Sequence, residues 1–151
     1  MRKSQFRKED VEAFIVRIEK LTPQTQPLWG KMNVAQMLTH CQKPYEQATG
    51  ELVTKPNPLV KFLFGKSARR QLMMEPVYKR NLPTFKEALI ADERNFQEEK
   101  TKLLQRIQNC YERGEAGIKV ELHPFFGPLS PREWDLLMVK HLDHHLTQFG
   151  V

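Results

Sequence analysis

The sequence predicts an all-α fold, an antiparallel four-helix bundle, and three observations carry that prediction. Four stretches repeat apolar residues at i, i+3, i+4 and i+7, the spacing of a helix with one buried face. Start and stop signals bracket them, above all Ser130-Pro131-Arg132-Glu133 and Gly114. No useful run alternates apolar and polar residues with period two, so half-buried strands have no support. Four amphipathic stripes bury their faces against one another most simply as a bundle.

The first helix is expected over 8–21, with Val11, Phe14, Ile15, Ile18 and Leu21 on one face and Thr22-Pro23 as its stop. The second is expected over 33–48. Asn33 is its N-cap, its apolar face is Val34, Met37, Leu38, Cys41 and Tyr45, and Pro44 should kink it or loosen its last turn. A proline-broken connection, 50–83, follows. Its apolar piece from Pro58 to Met73 is expected to supply one or two short extra helices.

The third helix is expected over 84–113, on a face of Phe85, Leu89, Phe96, Leu103, Leu104 and Ile107, with Gly114 ending it. A loop rich in Gly and Pro then runs from 115 to 129. Ser130, Pro131 and Glu133 combine a capping box with the preferred entry proline, so a fourth helix runs over 131–148.

At 151 residues the chain fits one domain, 1–151, with 40% apolar and 28% charged residues. No apolar run approaches the roughly 20 residues that span a bilayer, so no membrane role is expected. The N-terminus lacks the apolar core of a secretory signal, which makes the cytoplasm the expected compartment. Cys41 and Cys110 are too isolated for a disulfide framework and are expected as reduced thiols, Cys41 as a buried inert one. The net charge of +6 is spread along the chain. Nucleic-acid binders concentrate charge on one element and interleave aromatics, so a solvated basic surface is preferred over a nucleic-acid partner.

The chemistry-bearing residues are histidines, and His141, His144 and His145 fall within five positions. At about 100° per residue from Trp134, His141 falls at about 340° and His145 at about 20°, inside the apolar arc, while His144 lies at about 280°, on its edge. Burying an imidazole without partners costs a few kcal/mol, so two on one buried face need a shared explanation. Either both are hydrogen-bonded core residues, or their i, i+4 spacing converges both rings on one ion. His40, beside Met37 on the second helix, is the candidate third ligand. Three histidines from two helices would leave positions open for water or substrate, as in catalytic sites.

Other residues carry weaker signals. His144 is either a base beside the ligands or an exposed edge residue. Gln148 lies near the histidine stripe and could donate a hydrogen bond there or bond another helix or the terminal loop instead, and His123 is either turn packing with Phe125 and Phe126 or a supporting group. Asp143 is on the opposite face and is rejected as a ligand. Trp29 and Trp134 are expected as core anchors, one of which can wall a pocket. No carboxylate stands out as a general acid or base, with Glu46 and Glu51 the only guesses.

Two segments, Trp29-Gly-Lys-Met-Asn-Val-Ala-Gln-Met-Leu-Thr-His-Cys41 and His141-Leu-Asp-His-His-Leu-Thr-Gln-Phe-Gly150, resemble the DinB/YfiT-like superfamily. Within it the chain is similar to a branch known as a domain of unknown function, whose pattern includes His123-Pro-Phe-Phe-Gly-Pro-Leu-Ser130. The resemblance covers about Phe6 to Gly150 and implies a four-helix bundle. It also implies a divalent metal, zinc or nickel before iron or manganese, held by His40, His141 and His145. Superfamily activities imply a small-molecule substrate such as a low-molecular-weight thiol, and a thiol transferase or a hydrolase. A homodimer is the implied assembly. The alternative is a non-catalytic binding or stress-response protein with a vestigial site.

Overall fold

The computed structural model describes residues 2–54, 69–70, 72–74, 78–80 and 84–151. Most of the expected helix-bearing connection, including Pro56, Pro58, Pro76 and Pro83, lies outside the described residues. Residues 69–70 and 72–74 are helical, and Leu72 is fully buried.

The protein is mostly helical. Among the described residues four long helices stand out: α1 (Lys8–Glu19), α2 (Val34–Thr49), α3 (Phe96–Arg113) and α4 (Pro131–Gln148). Helix α2 packs against α3 and α4, and α1 packs against the same two. Their buried faces meet in one core that includes Phe14, Ile18, Met37, Leu38, Leu103, Ile107, Trp134, Met138 and Leu142.

Local chemistry explains each boundary. Helix α1 stops two residues before Leu21 because the Lys20 N–H turns back to the carbonyls of Arg17 and Ile18, yet Leu21 still enters the core. Helix α2 starts at a full capping box. The Asn33 side chain accepts from Gln36 N–H, and the Gln36 side chain accepts from Asn33 N–H. It continues through Pro44 to Thr49 and closes on Gly50, whose φ of 82° suits only a residue without Cβ strain. Pro44 lacks the N–H that would bond the carbonyl of His40, four residues back.

The expected third helix starts 12 residues too early, about three helical turns. Residues Lys86–Ala88 form a short 3-10 turn, and the helix begins at Phe96 because the Asn95 side chain accepts from Glu98 N–H at 3.0 Å. Asn95 is the stronger start signal, and the helical spacing of Phe85 and Leu89 is coincidental, since Leu89 is 65% exposed. Gly114 ends the helix as expected.

The 115–129 loop holds a small antiparallel pair, β1 (Leu122–His123) with β2 (Gly127–Pro128), which an all-α reading did not include. Strands of two residues are too short for periodicity to reveal. Helix α4 begins at the expected box, with Ser130 N–H donating to Glu133 at 2.8 Å and Glu133 N–H donating back to Ser130 Oγ. No helix among the described residues is long and apolar enough to cross a membrane.

Candidate metal centre

Two capping boxes set the registers of α2 and α4, and those registers bring three histidines together. His40 comes from α2, and His141 and His145 come from successive turns of α4. The ring centroids form a near-equilateral triangle: 4.7 Å for His40–His141, 4.7 Å for His40–His145 and 4.6 Å for His141–His145. One nitrogen from each ring lies within 4.8 Å of the others. These three buried or half-buried histidines could hold a metal ion.

Each ring is held by its own set of contacts. His40 Nδ1 is 2.7 Å from the Ala88 carbonyl, so Nδ1 carries the proton and Nε2 keeps its lone pair. That Nε2 faces His141 Nε2 at 2.9 Å, a contact that needs a proton or a cation between the two atoms. His141 Nδ1 is covered and has no hydrogen-bond partner among the described residues. His145 Nδ1 lies 2.8 Å from Gln148 Oε1, which leaves its Nε2 for another partner. A tetrahedral zinc with Zn–N bonds of about 2.0–2.1 Å holds its nitrogens about 3.3–3.4 Å apart. That spacing falls between the 2.9 Å His40–His141 contact and the 4.8 Å limit of the group. The residues present fit a divalent ion.

Electrostatics favour neutral imidazole at all three positions. Burial lowers the pKa of His40, with its hydrogen bond to Ala88 opposing the shift. Burial carries His141 well below the ordinary histidine range, helped by His145 and His40, and takes His145 down to about 3. Neutral imidazole is the form that binds metals.

The remaining sequence candidates divide clearly. His144 stays outside the triangle. Its half-buried ring meets His145 at 5.1 Å, Trp29 at 5.8 Å and Tyr78 at 6.1 Å, so it forms a wall beside the site. Trp29 is therefore a rim residue rather than a core anchor, whereas Trp134 is fully buried. Gln148 touches the cluster as an acceptor from His145 rather than as a donor to it. Its own amide N–H donates to the Trp29 carbonyl at 2.7 Å.

His123 belongs to its turn. Its Nδ1 accepts from the N–H groups of Phe125 and Phe126 at 3.1 Å each, and its ring stacks on Phe126 and packs near Trp134. Asp143 pairs with Lys3 at 2.9 Å and Arg17 at 2.6 Å, in keeping with its rejection as a ligand. Glu46 and Glu51 are drawn into ion pairs with Lys43 and Arg106, so neither stands out as an acid or base. Cys41 is 1% exposed, burial pushes its thiol pKa up, and it donates to Met37 Sδ.

Sequence reasoning missed Ala88, Gly30 and the Trp29 carbonyl. Two act through backbone oxygens, which no side-chain pattern reports. Gly30 carried a faint signal, a Trp-Gly pair in a connection, and its φ of 85° shows a conformation that favours glycine.

The helices and the histidine triangle define a helical protein with a candidate metal centre. A family model matches residues 1–150, and the chain belongs to that family, described as "Protein of unknown function (DUF1569)". No curated protein and no solved structure matches the chain.

Proposed function

We propose that this is a DinB-like four-helix-bundle metalloprotein in which His40, His141 and His145 hold one divalent ion. The convergence of three ring nitrogens within 4.8 Å carries the reading. Zinc or nickel suits an all-imidazole set better than manganese, which favours oxygen ligands; iron is the next candidate. Three protein ligands are the number found in catalytic sites, where a further position stays open. When bound, such an ion supplies Lewis acidity and lowers the pKa of a thiol or water.

The chain's own residues do the rest. His40 and His145 present Nε2 with Nδ1 engaged by Ala88 and Gln148. The three neutral rings bring no negative charge to the cluster, so the ion's charge is left to attract an anionic donor such as a thiolate. His144, Trp29 and Tyr78 wall the outer side. The reaction class we favour is thiol transfer to an electrophile, with hydrolysis second.

Activity assays of zinc- and nickel-loaded protein against thiol–electrophile pairs and ester or amide substrates test the catalytic part. Turnover that disappears in His141→Ala is the expected result. Metal binding at full stoichiometry without turnover of any pair would favour the non-catalytic alternative.

A further inference from the structure

We infer that Gln148 is a positioning residue that fixes which nitrogen of His145 faces the cluster, with the Trp29 carbonyl and Gly30 fixing Gln148 in turn. The inference rests on the metal-site reading and goes beyond it to the groups that aim a ligand. An amide side chain can present either its oxygen or its NH2 to a neighbour. The Trp29 carbonyl can only accept, and it lies 2.7 Å from Gln148 Nε2. The NH2 group must therefore face Trp29, which turns Oε1 toward His145 at 2.8 Å. His145 must then carry its proton on Nδ1, and its Nε2 lone pair points elsewhere. A flipped amide would donate to Nδ1, force the proton onto Nε2, and remove the lone pair that a metal needs.

Two further contacts hold the relay. Leu28 N–H donates to the Gln148 backbone carbonyl at 2.7 Å, so the same connection grips Gln148 by main chain and side chain. Gly30 makes room for it: a Cβ there would stand 2.5 Å from Gln148 Nε2. Gln148 itself is 4% exposed, so water does not substitute for these partners easily. Hydrogen bonds of this kind to a ligating imidazole fix its tautomer and orientation. Ala88 does for His40 what Gln148 does for His145, but through a carbonyl that has no alternative orientation.

Two readouts on the full-length protein test the relay. Long-range ¹⁵N–¹H NMR of chelator-treated protein should show His145 protonated at Nδ1, and Gln148→Leu should lose that tautomer. Zinc affinity, measured by competition with a chromophoric chelator, should fall about 10–100-fold in Gln148→Leu. Gly30→Ala should weaken it in the same direction. Gln148→Glu keeps an acceptor toward Nδ1 while giving up the donor to the Trp29 carbonyl, so it should keep the Nδ1–H tautomer and bind zinc at least tenfold more tightly than Gln148→Leu. An Nε2-protonated His145 in the wild type, or zinc affinity in Gln148→Leu within twofold of wild type, would overturn the relay. Equal zinc binding by wild type and His145→Ala would instead overturn the metal site, and the NMR tautomer would still decide the relay.

Discussion

His40 on α2 and His141 on α4 meet with their Nε2 atoms 2.9 Å apart, although 101 positions separate them in the chain. Neither ring could reach the other unless both helices kept their registers. The Asn33–Gln36 box begins the α2 register about two helical turns before His40, and the Ser130–Glu133 box begins the α4 register about three turns before His141 and four before His145. Capping at the surface and histidine placement in the interior are therefore linked.

Ser130→Ala tests that link. Losing an N-cap hydroxyl costs about 1 kcal/mol, read as a lowered midpoint in urea unfolding. The histidine triangle depends on α4 as a whole, so zinc stoichiometry should stay unchanged while stability falls. A variant as stable as wild type would show that the box contributes nothing.

Acid should destabilise the protein through its buried histidines. Burial lowers His145 to about 3 and His123 to about 4, both from the ordinary 6.5. Between those values and 6.5 the unfolded chain binds protons that the folded chain does not, so stability falls as pH falls. Each such histidine contributes a slope of up to about 1.4 kcal/mol per pH unit. Urea unfolding of chelator-treated protein should give a plateau above about pH 7 and a steady loss from about pH 6 downward, by the same linkage. His123→Phe should flatten the slope, and an unchanged slope would contradict the burial account for that residue.

Both thiols should resist modification in the folded state. Cys41 is 1% exposed with its pKa pushed up by burial, and burial with Asp135 pushes half-buried Cys110 up to about 12. Reactivity follows thiolate content and access. A thiol-specific chromophore should therefore react slowly with native protein and quickly in denaturant. Rapid reaction of Cys41 without denaturant would be inconsistent with the packed α2 face.

Asp143→Asn separates surface ion pairing from the candidate metal centre. Asp143 bonds Lys3 and Arg17 on the side of α4 away from the triangle. Partly exposed pairs of this kind contribute up to about 1 kcal/mol, so a small stability loss with unchanged zinc affinity is expected. A large loss of zinc would place Asp143 in the site.

Much of this was legible in the sequence, for identifiable reasons. Helix α4 announced itself through Ser130, Pro131 and Glu133, and once its start was set, the helical wheel separated His141 and His145 from His144. His40 followed from its place beside the buried Met37. The helix over 84–95 was read wrongly because Phe85 and Leu89 keep helical spacing while Asn95 competes as a cap. Ala88 shows why such spacing misleads: it sits in a 3-10 turn, where its carbonyl reaches His40. The Trp29 carbonyl could not be foreseen, since every residue type carries the same backbone oxygen. The direction of the Gln148 bond was likewise hidden, because an amide both donates and accepts and only its neighbours decide.

The most direct test of the central claim is the metal content of purified full-length protein. Elemental analysis after equilibration with zinc should give one ion per chain, and His40→Ala, His141→Ala and His145→Ala should each lose most of it while keeping wild-type helicity. Sub-stoichiometric zinc that is the same in the wild type and all three variants would contradict a metal centre at these histidines.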